Sequence, residues 1–266
     1  MLHRAGFSRD RLLVRNGLPN ADELRAMVEE VTPDVVINCI GAVKQVPAAQ
    51  DPIHAIRINS LFPHEVASTC AASGARFIHV STDCVFSGAT GMYSEADRPD
   101  AEDLYGRAKL LGEVTEPHLT LRTSIIGREL MGQHGLLEWF LSQEEAVRGY
   151  RLAFFSGLTT LALARVLDSV INDHPRLAGL FHVAAARIDK FSLLEMLNGA
   201  FMKGLAIIPD DEVAIDRSLD GGRFERLTGI AVPSWEQMIT EMADDSTELG
   251  YEKIRQLTDR EAEASS

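Results

Sequence analysis

The sequence predicts an α/β protein built on a doubly wound parallel sheet, with a smaller lobe over one end of the sheet. Helix-like and strand-like segments alternate, the strand-like segments are short β-branched runs, and the connections are short. The composition is 45% hydrophobic and 24% charged over 266 residues, so apolar side chains suffice for a sizeable core.

The predicted elements form repeated helix-then-strand units. Helices are expected at residues 21–31, 52–73, 104–114 and 158–172, and the strands that follow them at residues 34–41, 75–81, 118–126 and 179–184. In the first unit, Leu24, Met27 and Val28 recur at helical spacing. The run that follows is β-branched and closed by Gly41, which is typical of a buried parallel strand.

The alternation breaks in two stretches, residues 127–151 and 189–232. We therefore assign residues 1–127 and 152–188 to the sheet domain, residues 128–151 and 189–240 to the small lobe, and residues 241–266 to an acidic tail. The tail has few large apolar side chains, so we expect a frayed helix or a disordered segment there.

The charge balance excludes several classes of partner. With 26 basic and 39 acidic residues the net charge is −13, so neither a nucleic-acid nor a membrane partner is expected. No apolar run approaches the ~20 residues of a membrane helix. Cys39, Cys70 and Cys84 lie in apolar or strand-like stretches and are predicted to be reduced, so we expect a cytoplasmic protein. The eight histidines lack ligand spacing, and no metal site is predicted.

Residues at the carboxyl ends of strands are the first candidates for a site, because doubly wound sheets bind ligands there. Three such ends carry polar or small residues: Cys39, Ile40 and Gly41; Ser81, Thr82 and Asp83; and residues 122–127 around Ser124. Each of them alone is more typical of a plain strand terminus than of a site.

Tyr105 and Lys109 are four residues apart, which places them on one face of a helix. An ammonium beside a phenol favours the phenolate, so the pair could act as an acid or base near neutral pH. A surface Tyr–Lys pair is the alternative. The position of the pair, 23 residues after Thr82 at a strand end, favours the catalytic interpretation.

Several short motifs occur in a fixed order along the chain. They are residues 33–38, Ile58-Asn59, residues 79–88, residues 104–109, Gly112-Glu113, residues 121–127 and residues 217–224. In combination they resemble the extended short-chain dehydrogenase/reductases, and within them the dTDP-4-dehydrorhamnose reductase-like branch of nucleotide-sugar reductases. The resemblance implies a Rossmann-like cofactor domain and a substrate lobe.

The resemblance also implies a reaction, the reduction by NADP(H) or NAD(H) of the C4 keto group of a nucleotide-activated deoxysugar, in surface polysaccharide biosynthesis. Tyr105 would protonate the developing alkoxide, Lys109 would hold the nicotinamide ribose and lower the tyrosine pKa, and Thr82 would hydrogen-bond the substrate oxygen. The residues expected to bind the cofactor are Cys39, Ile40, Gly41, Asn59, Ser81, Tyr105, Lys109 and Ser124. For Asn59, a mere helix irregularity is the alternative.

Four further residues are expected to bind the sugar nucleotide together with Thr82: Asp83, Trp139, Arg217 and Arg223. The arginines suit a pyrophosphate because a guanidinium donates two parallel hydrogen bonds. The alternatives are a turn cap for Asp83, and packing or surface charge for the others. Related 4,6-dehydratases resemble this chain but carry an acid where Cys84 stands, so reduction is favoured over dehydration.

Two other functions remain open. Epimerases of this fold use the same tyrosine and lysine. The second open function is that of a catalytically inactive binding or regulatory subunit. The regulatory beta subunit of methionine adenosyltransferase resembles the same branch and provides a precedent. A homodimer is the candidate assembly.

The amino-terminal part departs from the family pattern, which has a strand, a Gly-x-x-Gly-x-x-Gly turn and a helix that binds the cofactor pyrophosphate. This sequence has no such turn; residues 88–91 lack the third glycine and are predicted to be a loop. Residues 11–15 stand where the family's third strand would be, so about 40 residues, most of one βαβ unit, are expected to be absent. Three explanations are open: residues 11–15 re-pair with the exposed edge, another chain covers it, or the reading frame is incomplete, which we favour. Without this segment NAD and NADP cannot be distinguished.

Overall fold

The computed structural model describes residues 14, 17–42, 50–129 and 133–248. The helices and strands are, in chain order, α1 Ala21–Val31, β1 Val35–Asn38, α2 Pro52–Ile56, α3 Phe62–Ser73, β2 Arg76–Thr82, α4 Leu104–Leu111, β3 Leu119–Thr123, β4 Ile125–Ile126, α5 Leu136–Leu141, β5 Val147–Tyr150, β6 Ala153–Phe155, β7 Leu158–Thr159, α6 Thr160–Asn172, β8 Gly179–His182, β9 Ile188–Asp189, α7 Lys190–Ala200, β10 Ile207–Asp210, β11 Ile215–Asp216, α8 Gly222–Thr228 and α9 Trp235–Glu248. A π-helical turn, Arg57–Leu61, joins α2 to α3, and a 3-10 turn, Asp83–Val85, follows β2.

The main sheet is parallel, with the strand order β1-β2-β3-β8. Its register places Ile78 of β2 opposite Ile37 of β1 and Leu119 of β3. Because all four strands run in one direction, their carboxyl ends lie along a single edge, and the residues after them share that edge.

Helices cover both faces of this sheet, because alternate residues of β2 are apolar and belong to cores on opposite faces. Phe77 is buried with Leu24 of α1 and Val66 of α3, whereas Ile78 and Val80 belong to the larger core on the opposite face. Helices α6, α7 and α9 contribute to that larger core. The predicted α/β class with a doubly wound parallel sheet is therefore confirmed.

Shorter strands form three small sheets. Strand β10 pairs with β5, β4 pairs with β7, and β6 lies between β9 and β11. The end of β11 contacts the segment after β2. The Asp216 amide donates to the Gly88 carbonyl at 2.8 Å, and Arg217 Nε donates to the Phe86 carbonyl at 3.0 Å. Gly88 has φ +89°, which suits the loop predicted at residues 88–91.

Some element boundaries differ from the prediction. The strand expected at 118–126 is interrupted at Ser124 between β3 and β4, and the helix expected from 158 begins at Thr160 because Thr159 caps it with a bond from the Ala162 amide. Residues 241–248, which we expected to begin the acidic tail, continue α9, and Met242 packs in the larger core. Residues 249–266 lie outside the described part of the chain.

Strand β1 pairs with β2 on one side, and no second neighbour is found for it in the described ranges. The predicted strand at residues 11–15 lies outside those ranges, apart from Val14. None of the described helices has the length and hydrophobicity needed to cross a bilayer. Among the same residues, no group of three or more metal-ligating side chains is found.

Candidate active site

Strand β2 ends at Thr82, and the chain turns at once into the 3-10 turn. The Thr82 hydroxyl accepts a hydrogen bond from the Cys84 amide at 3.1 Å and donates to Asp83 Oδ1 at 3.1 Å. Thr82 and Asp83 are 8% and 6% exposed. The strand end therefore holds a hydroxyl and a carboxyl group in a largely water-excluded position.

Helix α4 brings Tyr105 to this strand end. Asp103 caps the helix by accepting from the Gly106 amide at 3.0 Å, which fixes Tyr105 in the first turn. Tyr105 and Thr82 form a side-chain hydrogen bond. A Cβ on Gly106 would lie 2.3 Å from the Cys84 carbonyl oxygen, so only glycine allows this close approach of helix and turn.

We expect Gly106→Ala to lower the free energy of unfolding by about 1–3 kcal/mol, because the added methyl group must displace backbone atoms. Gly199→Ala is the matched control: Gly199 also lies within a helix, and no heavy atom comes within 4 Å of its added Cβ. That control should gain about 0.5–1 kcal/mol from the higher helix propensity of alanine. Denaturant titration of both variants measures the difference, and equal shifts would contradict the close-approach explanation.

The pKa of Tyr105 is raised, mainly by burial and also by the negative groups Cys84, Asp83 and Asp103, although the Thr82 hydrogen bond opposes the shift. The expectation that Lys109 lowers this pKa is wrong for the structure, because Lys109 is not among the groups that act on Tyr105. A raised pKa keeps the phenol protonated at neutral pH, which suits a proton donor.

Lys109 lies one turn further along α4 and is 4% exposed. Its Nζ donates to the Val80 carbonyl oxygen at 2.9 Å. Burial lowers the pKa of Lys109 to about 8, while the charges of Glu113 and Cys39 act in the opposite direction. The amine is therefore buried beside β2 and titrates much closer to neutrality than an exposed lysine.

Glu113 connects this helix to the sheet. Its carboxylate accepts from Arg122 Nε at 2.8 Å and from Arg122 Nη2 at 2.7 Å, and Ser81 Oγ donates to the same carboxylate at 2.7 Å. His182 of β8 contacts Arg122 Nη1 at 3.3 Å. The predicted cofactor residue Ser81 thus belongs to a buried polar network that joins α4, β2, β3 and β8. Glu113 stands four residues after Lys109, and the motif that contains it predicted no such role.

The predicted cofactor residues at the end of β1 lie beside Lys109, since the Lys109 charge acts on Cys39. Asn59, in the π-helical turn, accepts from the Ala42 amide at 2.9 Å and donates to the Ala42 carbonyl at 3.0 Å. Gly41 passes so close that an added Cβ would lie 3.4 Å from Asn59 Oδ1. Asn59 therefore fixes the backbone at Ala42, next to Gly41, from within the irregular π-helical turn, and its role in cofactor binding stays a prediction.

Ser124 contributes its backbone. Its carbonyl oxygen accepts from the Leu158 amide at 2.8 Å, and a Cβ on Gly157 would lie 2.6 Å from that oxygen. The residue therefore fixes the chain that leaves the carboxyl end of β3, where we had predicted it from its position in the sequence.

The structure brings Arg217 to the cluster, because its charge acts on the Asp83 carboxyl group. It also brings Lys190, which sequence reasoning missed. The Lys190 ammonium lies 3.5 Å from the ring centroid of Phe155, and the charges of Asp83 and Cys84 act on it. The sequence carries no spacing signal for Lys190, because β9 delivers it from a distant part of the chain.

No contact joins the other two predicted substrate residues to this cluster within the described ranges. Arg223 stacks 4.3 Å from the Phe181 ring centroid, and its Nη1 donates to the Leu180 carbonyl at 2.7 Å, so its guanidinium is engaged by β8. Trp139 is 38% exposed on α5. Their assignment to the substrate stays a prediction.

Comparisons with known proteins show which proteins this chain is similar to. The model of the RmlD substrate binding domain matches residues 14–197. The chain is 27% identical over 256 residues to a dTDP-4-dehydrorhamnose reductase of Sinorhizobium fredii, which covers 83% of this chain and 85% of that protein. It is also 34% identical over 115 residues to the probable low-salt glycan biosynthesis reductase Agl14 of Haloferax volcanii, over 41% of this chain and 38% of that protein.

The fold has solved counterparts. A dTDP-4-dehydrorhamnose reductase from Bacillus anthracis, solved in complex with NADP, superimposes with a TM-score of 0.75, 22% identity and 85% coverage of both chains. At this identity the likeness concerns the fold, and it agrees with the Rossmann-like architecture expected from the motifs.

Proposed function

Because the chain belongs to the RmlD substrate binding domain family, we propose that it is an NAD(P)H-dependent reductase of the C4 carbonyl of a nucleotide-activated deoxysugar, with dTDP-4-dehydrorhamnose as the first substrate to test. The observation that carries the proposal is the convergence of Thr82, Tyr105 and Lys109 at the carboxyl end of one parallel strand. The Sinorhizobium relative supports the choice of substrate.

The residues at the strand ends fit the nicotinamide end of a dinucleotide. Lys109 uses one of its three ammonium hydrogens on the Val80 carbonyl, so others can reach ribose hydroxyls. The backbone next to Gly41 is fixed by Asn59, and Gly41 has no side chain, so a flat ring can approach it. Both NAD and NADP stay candidates, because no glycine-rich phosphate turn occurs in the sequence.

A bound NAD(P)H supplies a hydride to the carbonyl carbon. In our proposal the Thr82 hydroxyl turns its single hydrogen from Asp83 Oδ1 to the carbonyl oxygen and orients that oxygen toward the Tyr105 phenol. As negative charge develops on that oxygen, Tyr105 transfers its proton to it and becomes a phenolate. The Lys109 ammonium holds the ribose of the coenzyme and takes no direct part in the proton transfer.

The pH dependence of the reaction follows from Lys109. Its pKa of about 8 means that the ammonium is present below that pH and is lost above it. We expect kcat/KM for the coenzyme, which reports groups of the free enzyme, to fall as the pH rises through about 8. Residual activity of Lys109→Arg should lack this decline, because a guanidinium stays charged. A flat wild-type profile up to high pH would contradict the assignment.

A direct experiment tests the proposal. Purified protein is mixed with NADH or NADPH and dTDP-4-dehydrorhamnose, and the loss of reduced nicotinamide is followed by absorbance. Oxidation that requires the sugar supports the reductase. Conversion of the sugar without net nicotinamide oxidation would favour an epimerase, and coenzyme or sugar binding without any conversion would favour an inactive subunit.

The setting is part of the same proposal. Cys39, Cys70 and Cys84 are free thiols, as is usual in a reducing compartment, and this supports a cytoplasmic location. The Haloferax relative is described as a glycan biosynthesis reductase, which supports a role in supplying a sugar for a surface polysaccharide. The homodimer stays a prediction.

A further inference from the structure

Lys190 brings a positive charge from a different part of the chain, and this charge acts on Asp83. Arg217 links the two regions, because its amide donates to the Phe154 carbonyl at 3.1 Å and its Nε donates to the Phe86 carbonyl at 3.0 Å, just after the Asp83 turn.

Lys190 is the first residue of α7, immediately after Asp189, whose side chain caps that helix through the Ser192 amide. Strand β9, which ends at Asp189, pairs with β6, so Phe155 lies under the Lys190 ammonium with 3.5 Å to the ring centroid. Phe155 is buried and packs on Trp235, so the ring that the ammonium contacts is held in place.

The Lys190 ammonium has unused hydrogen-bonding capacity. In the part of the chain that the structure describes, no hydrogen bond or ion pair to its Nζ is found, and the aromatic contact to Phe155 uses one side of the group only. Burial lowers the pKa of Lys190 to about 8, and Asp83 and Cys84 partly offset this. The Lys190 side chain is half-buried, so these hydrogens are available to a bound ligand.

Asp83 provides the matching acceptor. Thr82 donates to Oδ1, and the Cys84 side chain also forms a hydrogen bond with this carboxyl group. A carboxylate has about four acceptor sites, so Asp83 can still accept from a ligand. Since Thr82 also faces the reacting carbonyl in the proposed function, the neighbouring Asp83 stands where the next carbon of the sugar would be.

We propose that Asp83 and Lys190 together bind the hydroxyl group on the carbon next to the reacting carbonyl, with Asp83 accepting its hydrogen and Lys190 donating to its oxygen. The site therefore selects α-hydroxy ketones over ketones that lack this hydroxyl. The inference rests on the proposed function, and it adds a specificity-determining residue from the smaller lobe. Lys190 takes no part in the proton transfer.

The test compares two substrates and two variants. The substrates are dTDP-4-dehydrorhamnose and its 3-deoxy analogue, and the variants are Lys190→Met and the control Lys203→Met, whose lysine donates to the Leu141 carbonyl in the same lobe. Lys190→Met should lower kcat/KM for the hydroxylated substrate by about 10- to 100-fold, as expected for the loss of one charge-assisted hydrogen bond. It should leave the 3-deoxy substrate within about threefold of wild type, and Lys203→Met should change neither value.

Equal losses on the two substrates would overturn the inference, since a structural defect affects both alike. The Tm of Lys190→Met should stay close to that of wild type, because the half-buried ammonium makes no described hydrogen bond or ion pair that the substitution would remove.

Calorimetric binding of the two ketones separates this inference from the proposed function. If no reduction occurs, the reductase proposal fails, yet a preference for the hydroxylated ketone that disappears in Lys190→Met still supports the site. Equal affinities for both ketones in the wild type overturn it.

Discussion

Replacement of Tyr105 by phenylalanine is expected to lower kcat by about 10²- to 10⁴-fold, the usual contribution of a positioned general acid. The phenol is the group that donates the proton to the developing alkoxide, and it is held protonated at neutral pH because burial raises its pKa. Nicotinamide affinity should stay within about threefold of wild type, because Lys109 and the backbone around Gly41 are untouched by the change.

Tyr150→Phe is the matched control, because Tyr150 is a half-buried tyrosine of β5 in the small lobe. It should keep nearly full kcat. Stopped-flow or steady-state assays give kcat, and fluorescence titration gives the nicotinamide affinity. If Tyr105→Phe kept wild-type turnover, Tyr105 would lose its assigned role.

The largest expected effect on stability is that of Arg122→Met, about 3–5 kcal/mol of unfolding free energy. Arg122 and Glu113 are 3% and 8% exposed in side-chain terms and form a two-pronged ion pair. Removal of the guanidinium leaves a buried carboxylate with the Ser81 hydroxyl as its remaining described partner. Most of the cost therefore comes from the unpaired charge.

Two further variants make this prediction specific. The double variant Glu113→Leu with Arg122→Met should recover most of the loss, since an apolar pair of similar volume replaces the buried charges. Arg165→Met removes an ion pair to Glu241 in which both side chains are partly exposed, 47% and 28%, and should cost about 1 kcal/mol or less. Urea titration measures all three, and a double variant as unstable as Arg122→Met would contradict the unpaired-charge explanation.

The parts of the site that depend on local spacing could be predicted from the sequence. Tyr105 and Lys109 share one face of α4 because they are four residues apart, and Thr82 ends β2 because the β-branched run stops there. The parallel sheet itself followed from the repeated helix-then-strand units. The break at Ser124 escaped prediction because it depends on the Gly157 loop, which approaches from another part of the chain.

Residues that meet through tertiary contacts were the ones that sequence reasoning missed or misjudged. The charge of Lys190 acts on Asp83 because the pairing of β9 with β6 brings Lys190 to this site, and Glu113 reaches Arg122 from the segment that follows α4. The expected effect of Lys109 on the Tyr105 pKa failed for the same kind of reason. Helical spacing brings the two residues to one face but does not show that the Lys109 ammonium is directed to the Val80 carbonyl.

Transfer of deuterium tests the central claim most directly. Reduced nicotinamide that carries deuterium at the transferable position is incubated with the protein and dTDP-4-dehydrorhamnose, and the sugar is analysed by mass spectrometry and NMR. Our account predicts one deuterium at C4 of the reduced sugar, together with one equivalent of oxidised nicotinamide, and a large loss of this transfer in Tyr105→Phe. Absence of deuterium from C4 in the wild-type product, or its appearance at another carbon, would contradict a C4 reductase.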